Sequence, residues 1–416
     1  MRTSSEGPTP AAIEAVFRLE APRLIGGLLR IVRDVAVGED IAQDALVIAL
    51  ERWPSTGIPE NPGAWLMTTA KNRAVDHIRH GKMADRNHQV ITSSAVAVAV
   101  EPDEEAVGDD LLRLVLVSCH PVLSTQARVA LTLRLLGGLT TGEIAKAFLV
   151  AEPTIAQRIV RAKRSLTEAR VPFEVPRGAE LSARLPAVLE VIYLIFNEGY
   201  AAATDERAMR PELCRNALRL GRVLAGLVPD EGEAHGLVAL MELHASRMRA
   251  RVDADGQPVL LFDQDRSRWD HLLIRRGLDA LARAEALEAP LGPYALQAAI
   301  SACHARARTP DETDWVRIVA LYDALVELTG SPVVELNRAV AVGMAFGPAE
   351  ALPLVDELAE EEVLRDYHLV PSVRADLLKK LGRLDEARTE YRRAAAMATN
   401  PRDAEQLVGL AERCGD

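Results

Sequence analysis

Apolar residues recur along this chain mostly three and four positions apart, the interval that lines one face of an α-helix. In GEDIAQDALVIALERW, residues 38–53, Ile41, Ala45, Ile48 and Ala49 repeat at that interval, and Asp40, Gln43 and Asp44 fall on a polar face. Residues 11–80 read as helices broken at RDVAVGED (33–40) and WPSTGIPENPG (53–63). Residues 81–108 change character: small residues give way to EPDEEAVGDD, which predicts a linker. Helical periodicity returns from Leu111 to Arg170, and the two prolines of VPFEVPRGAE (171–180) mark another boundary. From about 180 to 416 the pattern is helical again and partly repetitive. LGRLDEARTEYRRAAAMATNP (381–401) has the Gly, Ala, Tyr, Ala, Pro rhythm of a tetratricopeptide helix pair, and Ala351 of FGPAEALPLVDELA stands 36 positions before Ala387. That offset is close to the tetratricopeptide period of about 34 residues. The predicted fold class is all-α.

One stretch carries more than periodicity. GEIAKAFLVAEPTIAQRIVRAKRSL (142–166) joins two short helical patterns. Ile144, Ala145 and Phe148 give the first an apolar face, FLVA interrupts it, and Pro153 suits the first turn of the second. Ile155 and Ile159 then face inward, leaving Thr154, Gln157, Arg158, Arg161 and Arg164 on the outer side. This is the pattern of a helix-turn-helix whose second helix enters a major groove. There Arg bonds guanine, Gln pairs with adenine, and further cations, Lys163 among them, reach phosphates. The same pattern also suits a helical hairpin with a solvated basic face.

Charge sharpens the picture only when read by segment. The 416-residue chain has a formal net charge of −11, yet residues 141–170 hold six cations against three carboxylates. Residues 71–88 hold five against two, with three histidines. Two basic islands therefore sit in an acidic protein. The length predicts two or three domains, and aromatics at 4% fit helices packed with Ala and Leu. The longest apolar run, VLEVIYLIF, falls well short of the roughly 20 residues of a membrane span, and MRTSSEGPTP has no apolar signal core. Cys119, Cys214, Cys303 and Cys414 form no CxxC pair, which fits thiols in a reducing cytoplasm.

Three motifs in order resemble those of bacterial sigma factors. TTGEIAKAFLVAEPTIAQRIVRAKRSL is similar to region four, which binds the minus-thirty-five promoter element. GEDIAQDALVIALERW resembles the region-two helix that grips the polymerase clamp, and NPGAWLMTTAKNRAVDHIRH the adjoining segment that opens and reads the minus-ten element. Their order and spacing, with no third domain between, resemble the extracytoplasmic-function (ECF) group. AFLVxExTxAQRxVRAKR, VIYLIFNEGY and GPYALQAAISACHA are similar to one ECF group with a long tetratricopeptide-like C-terminal extension. In two places the chain departs from the usual region-four pattern: Leu149 replaces a turn Gly, and Ala151 replaces a Ser or Thr cap.

The resemblance implies a region-two domain over 11–80, a linker over 81–108, a region-four domain over 109–170 and a helical extension over 180–416. It implies that Asp40, Gln43 and Asp44 bind core RNA polymerase. Lys71, Asn72, Arg73, Asp76 and Arg79 would contact minus-ten DNA, and Thr154, Gln157, Arg158, Arg161, Lys163 and Arg164 minus-thirty-five DNA. The loop from Trp53 to Gly63 would lie beside the unwound strand, as a pocket for a flipped base or as an ordinary Pro-rich loop; Trp65 suits the core better than base stacking. The acidic linker, with Glu101, Asp103, Glu104 and Glu105, is a plain tether or a strand threading toward the polymerase channel. The extension would regulate the sigma half and bind a partner protein still to be identified.

No chemistry is expected. RVDADGQPVLLFDQDRSRWD is dense in Asp but lacks the Glu that an EF-hand loop needs at its twelfth position. NEGY and His235, His244, His271 and His304 show no nucleophile–base or metal-ligand spacing, so neither metal nor cofactor is predicted. Two other functions remain compatible with parts of the chain: a helix-turn-helix regulator that works without polymerase, and a ligand-sensing C-terminal half fused to a sigma-like module.

Overall fold

The computed structural model describes residues 8–85, 104–148, 150–176, 178–201, 211–253, 259–398 and 401–414, and among them the chain is built from helices without a strand. It divides into two compact units, Met1–Val228 and Pro229–Asp416.

The first unit opens with α1 (Pro10–Val32), α2 (Val35–Thr56) and α3 (Pro62–Asp85), which pack on one another. The break expected at 33–40 shrinks to Arg33 and Asp34. Asp34 caps α2 by accepting from the Val37 N–H at 3.0 Å, so the helix begins there and Gly38 becomes a buried contact. At its other end α2 runs through Trp53 to Thr56, and only 57–61 are left as a loop. The apolar face drives this extension, because Trp53 is 1% exposed and meets Trp65 edge to face at 5.2 Å. Trp65 itself is half-buried. The predicted linker is also shorter than 81–108: α3 continues to Asp85, and α4 (Glu104–Ser118) starts at Glu104. Acidic residues favour a helix N-terminus, which is where Glu104 and Glu105 fall. Glu101 and Asp103 lie outside the described residues.

α4 lies against α1, and the approach is close because Gly26 has no side chain. A Cβ there would stand 2.6 Å from the Asp110 carbonyl oxygen. Asp110 also pairs with Arg30 at 2.6 Å and with Arg113. Then follow α5 (Thr125–Leu135), α6 (Thr141–Ala147) and α7 (Glu152–Glu168). Thr140 and Glu143 form a reciprocal capping box that fixes the start of α6.

The extension does not begin as a separate body. α8 (Ala179–Ala201) and α9 (Pro211–Leu227) pack against α4, and α8 also against α5, so the compact-unit boundary falls at Val228–Pro229 rather than near 180. Val188, Val191, Ile192, Ile195 and Phe196 of α8 are all buried. Arg128 reaches Glu190 at 3.5 Å, and Arg219 donates to the Leu136 carbonyl.

In the second unit α10 (Gly232–Ser246) is buried nearly all round, as suits a helix enclosed by α11 (His271–Glu285) and α12 (Pro293–Arg306). The chain continues through α13 (Trp315–Thr329), α14 (Pro332–Ala345), α15 (Pro348–Ala359), α16 (Leu369–Lys380), α17 (Leu384–Met397) and α18 (Pro401–Glu412). The α14–α15 and α16–α17 pairs each turn on a glycine at positive φ, Gly347 at 103° and Gly382 at 77°. Ala351 and Ala387, the repeat-related alanines, are both fully buried between neighbouring helices.

Candidate nucleic-acid interface

α7 carries the basic face. Ile155, Ile159, Ala162 and Leu166 form its buried row, at spacings of four, three and four. That row fixes the rotation of the helix and sends Thr154, Gln157, Arg161 and Arg164 outward, with Arg158 half-exposed. Thr154, Gln157, Arg158 and Arg161 line an open groove of about 340 Å³ against Leu123, Ser124 and Ala127. Ala151 gives α7 no side-chain cap, as its sequence dictates, and Pro153 stands in the first turn. Leu149 lies outside the described residues. Arg164 pairs with Glu168 one turn on, at 2.6 Å and fully at the surface.

Lys163 stands apart from this set. Its ammonium lies 2.5 Å from Glu39 Oε2, and its side chain is 16% exposed. Arg134 holds the other carboxylate oxygen of Glu39 at 2.7 Å. Burial pushes the Glu39 carboxyl up, but the two cations more than reverse this and hold it below its ordinary value. Sequence reasoning passed over Glu39 because it adjoins the polar Asp40. The signal is there: Val35, Glu39, Ala42, Ala49 and Trp53 all lie on the buried face of α2. A carboxylate on such a face demands a cation from a neighbouring element.

On the opposite side of α2, Asp40 and Asp44 are exposed and Gln43 is half-exposed. Val47, 52% exposed, and exposed Glu51 continue the row, so the face is acidic with an apolar centre. Val47 was not singled out by its sequence context, since an exposed valine and a buried one look alike in a helical repeat. On α3, Leu66, Ala70 and Ala74 are buried, which leaves Asn72, Arg73, Asp76 and Arg79 exposed and Lys71 half-exposed. The α3 and α7 cations thus form two separate faces. The break expected at Trp53–Gly63 narrows to 57–61, and Trp53 is committed to the core.

The second unit gathers several ionisable and aromatic groups without catalytic geometry. His244 Nε2 lies 3.1 Å from Ser301 Oγ, and Arg266 donates to the carbonyls of His304 and Ala307 at 2.7 and 2.6 Å. Arg266 also stacks over Trp269 at 4.9 Å, and His304 meets Trp315 edge-on at 5.2 Å. Burial, reinforced by Arg247 and other cations, pulls His244 down to about 3 and His304 to about 4. Among the described residues no group of three or more His, Cys, Asp or Glu is placed to hold a metal ion. None of the helices described is long and apolar enough to cross a membrane. All four cysteines are buried thiols outside any disulfide.

Comparison with known proteins gives these faces a context. Residues 16–83 match the sigma-70 region 2 family and residues 113–166 match sigma-70, region 4. Residues 184–285 match a family of unknown function, DUF6596. An uncharacterized protein of Rhizobium meliloti (strain 1021) is 43% identical over 388 residues, covering 92% of this chain and 91% of that protein. The ECF RNA polymerase sigma factor SigK of Mycobacterium sp. (strain KMS) is 30% identical over 156 residues, 36% of this chain and 77% of SigK. The probable ECF RNA polymerase sigma factor SigI of Mycobacterium tuberculosis (strain H37Rv) is 28% identical over 206 residues, 47% of this chain and 70% of SigI.

Proposed function

The chain belongs to the ECF RNA polymerase sigma factors, and from that premise we propose that it binds core RNA polymerase through α2, engages promoter DNA through α3 and α7, and is regulated by its own helical extension. The observation that carries this reading is the pairing of two faces on one helical body. The Asp40–Asp44–Val47–Glu51 row on α2 suits a basic, partly apolar partner surface. The cations of α3 and α7 suit phosphates and base edges.

Each residue takes a role in this scheme. Asp40, Gln43 and Asp44 meet the polymerase clamp. Asn72, Arg73, Asp76 and Arg79, flanked by Lys71, meet minus-ten DNA. Thr154, Gln157, Arg158 and Arg161 meet base edges of the minus-thirty-five element, while Arg164 reaches phosphate. The protein performs no chemistry itself; binding energy recruits the polymerase and helps to open the duplex. It works in the cytoplasm, where polymerase and promoter are. Regulation through the extension is supported by the packing of α8 on α4 and α5 and of α9 on α4, with Arg128 of α5 and Glu190 of α8 as one tie. The outer surface of the helix-pair array would take a partner protein.

Co-purification with core polymerase, followed by sequencing of the transcripts that the reconstituted complex initiates, tests the whole scheme. Discrete start sites downstream of a shared pair of elements are the expected result. A chain that binds promoter DNA but never core polymerase would be a polymerase-independent regulator instead.

A further inference from the structure

The stretch RVDADGQPVLLFDQDRSRWD and the histidines of α10 and α12 lie outside the polymerase and promoter faces, and the second unit brings part of them together. Arg266 is fixed from two sides. Its Nη1 donates to the carbonyls of His304 and Ala307 at 2.7 and 2.6 Å, and its guanidinium stacks on Trp269 at 4.9 Å from the ring centroid. That leaves the Nε edge of the guanidinium, and Arg266 Nε has no hydrogen-bond partner although it is shielded from solvent. The same holds for Trp269 Nε1, on a residue only 4% exposed, and for His304 Nδ1. Buried polar atoms are nearly always satisfied, so three such nitrogens around one stacked pair call for an acceptor.

Nearby carboxylates do not supply it, because they are spent on backbone N–H groups. Asp265 accepts from Ser267 at 2.9 Å, Asp270 from Leu272 and Leu273, and Asp314 from Arg317, each as the cap of a helix. Glu312, the carboxylate whose charge acts on Arg266, accepts from the Arg308 N–H at 2.9 Å. Arg266 itself forms no ion pair among the described residues. Arg247, 5.9 Å from the centre of the same indole, adds a second positive charge. Burial, and then the charges of Arg247 and Arg266, hold His304 neutral at about 4. Beside this group Trp315 meets His304 at 5.2 Å and Phe262 at 5.8 Å. Phe262 is 42% exposed and Trp315 half-buried, so the cluster adjoins the surface through an aromatic rim.

We propose that Arg266, Trp269 and His304 bind the carboxylate of a small organic acid, with Phe262 and Trp315 against its apolar body. Pinned by two carbonyls and an indole face, the guanidinium is pre-organised, so little side-chain freedom is lost when its Nε edge takes a carboxylate in a two-bond fork. The Trp269 N–H donates to the same oxygens, as does His304 in the tautomer that carries its proton on Nδ1. Charge favours a monoanion. With His304 neutral, Arg266 is the cation at the centre of the cluster, and one carboxylate balances it. A phosphate dianion would leave its second charge to Arg247, which stands further from the indole. Entry takes rotation of rim side chains, a common extent of change on binding, rather than separation of helices. The site lies wholly within the second unit, so it stands apart from the sigma-factor reading.

Isotope-labelled indole nitrogens test this on the full-length chain, whose four tryptophans give four N–H resonances. Trp269→Phe, which keeps a ring under Arg266, identifies the resonance at the site. The probes are benzoate, phenylacetate and hexanoate at millimolar concentration, with benzyl alcohol and phenyl phosphate beside them. A carboxylate should move the Trp269 resonance downfield and saturably, while Trp53 and Trp65 of the first unit stay in place. Benzyl alcohol should not move it, and phenyl phosphate should bind more weakly than benzoate. Trp269→Phe, followed through Trp315, should weaken carboxylate binding about tenfold. Arg266→Lys, which keeps the charge but loses the fork, should weaken it at least as much. Arg266 also holds the end of α12, so Trp269→Phe keeps the test open should Arg266→Lys fail to fold. A Trp269 resonance that no carboxylate moves, or that benzyl alcohol moves equally, would overturn the site, as would undiminished binding to Trp269→Phe. Tighter binding of phenyl phosphate than of benzoate would overturn the assignment to carboxylates.

Discussion

Arg158 and Arg164 lie on the same helix in different settings, and the difference sets what each does. Arg158 is half-exposed at the edge of a groove beside Gln157, whereas Arg164 projects fully and shares its charge with Glu168. Arg158→Ala should therefore cost about 1–3 kcal/mol at a cognate promoter and relax the preference at one base. Arg164→Ala should weaken binding to all sequences alike and reduce the salt slope by about one. Binding isotherms on a promoter and its point variants at several salt concentrations separate the two; equal losses on every sequence for Arg158→Ala would remove it from base reading. A different residue shows how tightly the body is drawn together. Gly26→Ala gains about 1 kcal/mol of helix propensity, but its Cβ meets backbone rather than a pliable side chain. The net loss should be about 1–2 kcal/mol, visible as a lower urea midpoint at unchanged slope.

At the scale of elements, α2 has two working faces that must be kept apart. Asp44→Arg places a cation on the outward row without touching the Glu39 face, so the fold should persist while affinity for core polymerase falls at least tenfold. Normal co-purification with unchanged helicity would remove α2 from the polymerase interface. The two histidines of α10 and α12 make a separate prediction. Both are held neutral in the fold, at about 3 and about 4, against 6.5 when unfolded. Between those values the unfolded chain binds more protons, so stability falls as pH drops below about 6.5 and levels off only near 3. Glu233, raised by burial, opposes this with a single group. Hydrogen exchange over α10 should accelerate from pH 7 to pH 4.5 relative to the intrinsic rate, and His244→Asn with His304→Gln should flatten that trend.

The same scale shows where sequence was informative. The inward row of α7 was legible because Ile155 and Ile159 are four apart with polar residues between them. Arg33–Asp34 was harder, since RDVAVGED looks like a long break until Asp34 is seen capping a helix that runs straight through Gly38. Lys163 resembled its neighbours Arg161 and Arg164 in every local respect. Only a carboxylate 124 positions away distinguishes it, and a pairing across that span leaves no periodic trace. The turn at Trp53–Gly63 failed for a related reason: proline punctuates a sequence strongly, but Pro54 sits in the last turn of a helix whose tryptophan is anchored in the core.

For the whole molecule the main consequence concerns where the chain can be cut. Sequence composition changes at 171–180, and a truncation after Arg170 would seem to isolate the sigma half. Packing argues otherwise, because α8, with Leu185 to Phe196 largely buried, seats against α9, α4 and α5, and α9 seats against α4. Uncovering the equivalent of two large apolar side chains costs about 4 kcal/mol, at about 1.5–3 kcal/mol each. In a body of this size that lowers Tm by about 8–16 °C. Residues 1–228 should melt cooperatively near the temperature of the same unit in the full chain, whereas residues 1–170 should melt at least 8 °C lower or aggregate. The pair also separates two sources of regulation. If α8 and α9 carry the regulation, residues 1–228 should keep the full-length response to core polymerase, and any further change in promoter output between 1–228 and the full chain belongs to the helix-pair array. Calorimetry and transcription at matched occupancy of core polymerase decide both points. Equal Tm for the two truncations would mean that α8 and α9 rest on the sigma half without stabilising it, and control of transcription would then have to come from beyond Val228.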